Sequence, residues 1–343
     1  MSFPLGKLPL HILRDLLTKF PTDDPSVLLG GAIGEDAAVI DAGGPDVLVV
    51  TSDPITFTAT DAGRSLLAVN ANDLATRGAT PHWLLVTALL PEGIGEPGVR
   101  ALFASIASAC VDARVALVGG HTEITTGIDR PLLVGTLIGT APRNAWFRTA
   151  DAQVGDVLLL TTGIAIEGTA ILAGEHSRTL LEAGVTPDQV TAAASLAERP
   201  GIRVRLAAHA ACAGPGVHAM HDPTEGGLVS AVHEMCDAAG VGVEVVADAI
   251  LVLPETRVIC DALGLDPLGL LASGALLAAV DPAHHAQVAE RLHGSGIPAT
   301  VIGRLLAPSE GRVLRGGSGD QPLPTFARDE LARFLANPRE GPG

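Results

Sequence analysis

Residues 46–53, DVLVVTSD, run apolar and mostly β-branched from Val47 to Val50 and then turn polar at Thr51, Ser52 and Asp53 before Pro54. The run reads as a strand, and Pro54, which has no N–H to give to a ladder, is expected to end it. DAAVIDA (36–42) reads as a partner strand across the turn Gly43-Gly44-Pro45. Along the rest of the chain, apolar strands alternate with Ala-rich helices between Pro and Gly breaks, which points to mixed α and β structure. The chain has 343 residues, more than one core usually serves, so two domains are expected.

Composition narrows the partners. The net charge is −16 and the only lysines are Lys7 and Lys19, so the chain repels nucleic acid and anionic membrane. No apolar run approaches the roughly 20 residues that span a bilayer, and the N-terminal segment does not read as a secretory signal. A soluble cytoplasmic protein is the expectation. The four cysteines, Cys110, Cys212, Cys236 and Cys260, are isolated and read as small buried residues; there is no C-x-x-C pair to bind zinc. With no Tyr, seven Phe and two Trp, stacking on aromatics does not dominate recognition.

Read in order, the first half gives roughly β-β-α-β-α-β-β, after a short amphipathic helix over 8–20 stopped by Pro21. Polar groups break this pattern at Glu35 and Asp36, at Asp53, at Asn70, Asn72 and Asp73 within a helix, and at His121 to Glu123 after Gly119-Gly120. Each alone suits a turn or a solvent-facing helix position. Together, several carboxylates in one sheet domain repel one another unless a cation sits among them. Hard oxygen donors without cysteine imply Mg²⁺ or Mn²⁺, and Mg²⁺ held by few carboxylates completes its shell with water and phosphates, so a nucleotide is implied.

Common nucleotide motifs are absent. Neither lysine satisfies a P-loop, and GGAIGED (30–36) leads into a strand, without the helix N-terminus a dinucleotide fingerprint requires. In the second half, Asp222-Pro223-Thr224-Glu225 reads as an N-cap, a first-turn proline and a capping-box acid opening a helix. Gly226 and Gly227 in its first turns are explained either by tight packing or by a phosphate on the exposed N–H groups.

The ordered set GEDAAV (34–39), TSDPITF (51–57), VNANDLATRGA (69–79), VGGHTEIT (118–125), HDPTEGGL (221–228) and LDPLGLLASGALL (265–277) resembles the PurM/AIR-synthase superfamily, nearest its hydrogenase-maturation HypE and AIR-synthase-related branch. The resemblance implies α/β and α+β structure in two domains. Residues 1–145 would bind ATP and Mg²⁺, their sheet forming a barrel across a homodimer; residues 146–343 would form an α+β C-terminal domain with a loose tail.

It further implies an ATP- and Mg²⁺-dependent enzyme that phosphorylates a carbonyl, amide or similar small acceptor, with a maturation protein as a further partner. Asp36, Asp53 and Asp73 would hold Mg²⁺, with Asn70 and Glu35 close by. Gly119, Gly120 and Thr122 would lie against the phosphates, His121 and Glu123 of the same loop would be catalytic, and Asp222, Thr224, Gly226 and Gly227 would line the nucleotide from the C-terminal domain. HypE proteins end in an acceptor cysteine, whereas the last cysteine here is Cys260. They also carry a lysine where this chain has Glu123, and Asn-Glu-Gly-Lys where it has Ala272 to Ala275.

These departures leave two other readings: an ATP-binding assembly factor without turnover, and a small-metabolite kinase of the thiamine-monophosphate kinase type. A second phosphate would want Arg64, Arg77, Arg143, Arg148 or Lys7.

Overall fold

The computed structural model describes residues 3, 5–19, 23–58, 61–317 and 319–336. It divides into two compact units, Thr22–Gly31 with Asp36–Trp146, and Met1–Pro21 with Ala32–Glu35 and Phe147–Gly343. Where the sequence suggests one cut near residue 145, helix α1 (Leu10–Leu17) thus groups with the second unit, to which Arg14 and Lys7 are tied by ion pairs with Asp237 and Glu234.

The first unit is one sheet in the order β1-β2-β3-β6-β4-β5, built from β1 (Val27–Leu29), β2 (Ala38–Ile40), β3 (Asp46–Ile55), β4 (Thr80–Pro91), β5 (Ala116–Thr125) and β6 (Leu132–Pro142). The expected hairpin forms: Ala38 pairs with Val50 and Ile40 with Leu48. Pro54 does not end β3, which runs on to Ile55. Its neighbour β2 stops opposite Val50, so one side of β3 is an open edge beyond that point, and an edge tolerates a missing N–H.

Helices α2 (Ala62–Thr76) and α3 (Glu96–Ala113) cover one face. Alternate residues of the strands, such as Val47, Val49, Leu84, Leu133 and Leu137, bury against Leu66, Leu74 and Ile106 of these helices. The opposite alternation leaves Trp83 and Leu85 exposed, as are Leu117, Val118 and Ile124 of the edge strand β5. Among the described residues this sheet is open, with β1 and β5 at its edges, and no closed barrel forms within the chain.

The second unit holds a mixed sheet in the order β13-β12-β9-β11-β7-β10-β8. Its strands are β7 (Val157–Thr161), β8 (Val217–His221), β9 (Gly242–Val246), β10 (Leu277–Val280), β11 (Ala299–Leu306), β12 (Arg312–Arg315) and β13 (Gln321–Pro322). Its further helices are α4 (Ile166–Glu175), α5 (Ser177–Glu182), α6 (Pro187–Ala194), α7 (Arg205–Ala211), α8 (Gly227–Ala239), α9 (Pro254–Leu263), α10 (His285–Gly294) and α11 (Glu330–Ala336). Strand β10 is buried along its whole length, and its Ala278 and Ala279 let neighbouring layers close in. Among the described residues no helix is long and apolar enough to cross a membrane.

The pairing of β4 with β5 depends on one glycine. At Gly120 the φ angle is 142°, and an added Cβ would lie 1.8 Å from the Val86 carbonyl oxygen, whereas at Gly119 the nearest atom would be 4.0 Å away. Gly120→Ala is therefore expected to cost about 1–3 kcal/mol, as overpacking does, while Gly119→Ala stays within about 1 kcal/mol of wild type. Urea denaturation of the two variants compares them; equal stability would refute this account of the strand.

Candidate functional site

In the first unit, strand β3 and helix α2 bring four of the expected polar groups together. The Thr51 hydroxyl lies 2.6 Å from Asp73 Oδ2, 3.0 Å from Asp53 Oδ2 and 3.2 Å from the Asp36 carbonyl oxygen. A hydroxyl has one proton to donate, so at most one of these three acceptors receives it and the others face a lone pair. The Thr76 hydroxyl repeats the pattern, 2.9 Å from Asp36 Oδ2 and 2.8 Å from the Asp73 carbonyl.

Asn70 accepts from the Asp53 N–H at 3.1 Å and donates to the Leu66 carbonyl at 2.9 Å, which fixes the end of β3 against α2. Asn70, Asn72 and Asp73 are all buried, so the mid-helix polar group faces inward and not solvent. Asp36, placed just before β2, is held at Oδ2 by the guanidinium of Arg77 at 2.7 Å. The carboxylates of Asp53 and Asp73 meet at one hydroxyl and that of Asp36 lies against Arg77 and Thr76; all are hard-oxygen donors of the type that suits Mg²⁺.

The Gly119–Glu123 segment departs from the expectation of a loop. It is the continuous second half of β5, exposed on both faces, and Gly120 is required by the approach of β4. His121 Nε2 and Glu123 Oε2 are 3.2 Å apart at the surface. Register places Asp53 opposite Gly135, Gly135 opposite Val86 and Val86 opposite Gly120. The segment therefore shares a transverse row with Asp53 at three strand spacings, about 14 Å. One chain does not join His121, Thr122 and Glu123 to the acidic cluster.

In the second unit, Asp222 is buried just after β8, but it is not an N-cap. Helix α8 begins at Gly227 with Gly226 as its cap, because both glycines have positive φ, 91° and 70°, and left-handed backbone cannot continue a helix. The two glycines serve packing. A Cβ on Gly227 would sit 2.4 Å from the Leu268 carbonyl, and one on Gly226 2.2 Å from Ser230 Oγ. Their N–H groups are also engaged: Gly227 donates to Thr224 and Gly226 donates to Asp329 Oδ2 at 2.6 Å. The carboxylate of Asp329 stands where the sequence suggests a phosphate.

Several contributors were not legible in the sequence. His221 donates to Glu234 at 3.0 Å, both buried, and Lys7 Nζ lies 3.5 Å from the same Glu234. The Lys7 N–H donates to Glu225 at 2.6 Å; burial nonetheless raises the Glu225 pKa, against the pull of Lys7. Lys7 is therefore bound to acids. Glu35 accepts from the N–H groups of Thr149 and Ala150, both at 3.1 Å, and caps a short helical turn. Of the four arginines, Arg64, Arg143 and Arg148 pair with Asp61, Asp41 and Asp151 at the surface, and only Arg77 is buried.

Two family profiles match, AIR synthase related protein, N-terminal domain, over residues 34–141 and AIR synthase related protein, C-terminal domain, over residues 153–315. The chain belongs to the AIR synthase related family. Among relatives in this family, a carbamoyl dehydratase HypE of Rhodobacter capsulatus is 31% identical over 88% of each chain. A hydrogenase expression/formation protein of Methanocaldococcus jannaschii is 29% identical over 90% of this chain and 91% of that one.

Solved structures share the fold. These include a HypE–HypF complex at TM-score 0.74 and 19% identity, covering 92% of this chain and 99% of that one. A HypE in complex with ATP has a TM-score of 0.66 at 22% identity, covering 96% and 98%. A ThiL complexed with AMPPCP and TMP has a TM-score of 0.71 at 19% identity, covering 94% and 97%.

Burial lifts the pKa of Asp329 from 3.8 to about 7, against the backbone N–H groups of Gly226, Leu331 and Leu271 that it accepts from. The folded protein holds a proton there that the unfolded chain releases, so stability falls as pH rises from 3.8 towards 7. Asp329→Asn is expected to flatten that fall, measured as urea unfolding free energy at intervals across the range. An unchanged slope would exclude this carboxyl as its source.

Proposed function

We propose that this AIR synthase related protein is an ATP- and Mg²⁺-dependent enzyme that transfers the γ-phosphoryl group to a carbonyl, amide or comparable oxygen of a small acceptor. The observation that carries the reading is the Thr51-centred cluster, where the carboxylates of Asp53 and Asp73 and the backbone carbonyl of Asp36 converge on one hydroxyl. The HypE name of its relatives and the ATP in a HypE of the same fold support the nucleotide.

In this reading Asp36, Asp53 and Asp73 hold Mg²⁺, which neutralises charge on the transferring group when bound. Thr51 fixes the direction of the Asp53 and Asp73 carboxylates, and Asn70 fixes the backbone that carries Asp53. The acceptor oxygen bonds to the γ-phosphorus, ADP leaves, and the phosphorylated oxygen is then a leaving group. The four cysteines do not offer a ready nucleophile. Burial raises the pKa of Cys110, takes Cys236 to about 11 and Cys212 and Cys260 to about 12, so they remain thiols at neutral pH. A small-molecule acceptor fits better than any of these thiols.

Calorimetric titration with a non-hydrolysable ATP analogue and Mg²⁺ tests the site. Asp53→Ala should weaken binding about tenfold to a hundredfold, the 1.5–3 kcal/mol of a contact to a charged group; undiminished binding would sink the assignment.

The reading includes a homodimer. Trp83, Leu85, Leu117, Val118 and Ile124 leave an apolar sheet face and edge uncovered, as a chain that pairs with a second copy would. The second copy's β5 would also be the route by which His121, Thr122 and Glu123 reach an acidic cluster. Light scattering should give twice the chain mass for wild type and a shift to monomer for Leu117→Asp/Ile124→Asp. A monomeric wild type would remove this part of the reading.

A further inference from the structure

Arg77 closes helix α2 with its side chain fully buried, and its Nη2 lies 2.7 Å from Asp36 Oδ2. A guanidinium stays charged in any protein environment, so burial cannot neutralise it. A well-packed apolar side chain of the same volume would stabilise the helix end as well or better, so packing alone does not account for an ion pair here. Its location suggests another role. The pair adjoins the oxygen cluster, since Asp36 Oδ2 also lies 2.9 Å from the Thr76 hydroxyl, which is 2.8 Å from the Asp73 carbonyl, while Thr51 reaches the Asp36 backbone carbonyl and the carboxylates of Asp53 and Asp73.

We propose that Arg77 is the resident counter-cation of this cluster, a positioning residue that keeps Asp36 aimed and makes divalent-metal binding wait for the phosphates of the nucleotide. The inference rests on the metal-nucleotide reading above. With one Asp36 oxygen already bound to a fixed cation, the carboxylates attract a bare divalent ion less strongly. Phosphate oxygens then supply both the missing ligands and the missing negative charge. Metal and nucleotide would enter together, and a cluster standing open to free metal is avoided.

The test is Mn²⁺ titration followed by electron paramagnetic resonance, first without nucleotide and then with a non-hydrolysable ATP analogue. Wild type should bind Mn²⁺ weakly until the analogue is added. Arg77→Met should bind Mn²⁺ without nucleotide roughly tenfold or more tightly than wild type, the size of one adjacent charge. Arg77→Lys should stay close to wild type.

Arg77→Gln, which keeps N–H donors for Asp36 without the charge, decides the question if the methionine variant does not fold, as judged by circular dichroism. Equal nucleotide-free Mn²⁺ affinity in wild type and a folded uncharged variant would overturn the proposal. If wild type binds no analogue even with Mn²⁺, the nucleotide reading fails instead, and the nucleotide-free comparison still stands on its own.

Discussion

The first unit turns on a shortage of protons around Thr51. One hydroxyl faces the carboxylates of Asp73 and Asp53 and the Asp36 carbonyl within 3.2 Å, and two carboxylates this close repel each other less when positive charge lies nearby. Arg77 supplies part of it from inside the fold. The rest of the local structure follows from keeping these groups in place. Strand β3 continues past Pro54 to carry Asp53, and Asn70 fixes that strand end to α2. Helix α2 turns its polar residues inward, where most helices of this length would show them to solvent.

In the second unit, helix α8 anchors segments from both ends of the described chain. Lys7 and Arg14 reach Glu225, Glu234 and Asp237 from one side. From the other, Asp329 accepts the Gly226 N–H, and His233 donates Nε2–H to the Pro324 carbonyl, which leaves Nδ1 to accept from Arg312. The carboxyl of Asp329 thus takes a position at the start of α8 where a helix N-terminus attracts anions. That is why two consecutive glycines occur there without a phosphate to explain them: the backbone of Leu268 and Gly269 comes too close for any side chain at Gly227.

The sequence was most readable where residue chemistry and periodicity agree. The β2–β3 hairpin and the α2 helix with Gly78 behind it both follow from apolar periodicity and the turn residues that bound it. It misled where a local motif competed with tertiary packing. Asp222-Pro223-Thr224-Glu225 has the composition of a helix start, yet the positive φ angles of Gly226 and Gly227 delay the helix to residue 227. The glycines and polar residues of 119–123 resemble a loop, yet pairing with β4 holds them as strand.

What the sequence determined by itself was the mixed α and β class, the lack of a P-loop, and a set of acids beside strands with no cysteine pair among them. These depend on residue types and on spacings of two or three and a half positions, which are local properties. Only the tertiary structure decided which acids share a hydroxyl, that Glu35 caps a turn, and that Arg77 alone of four similar arginines is buried, against Asp36. Those outcomes depend on which residues distant in sequence are brought within 3–4 Å, and no local pattern in the chain specifies that.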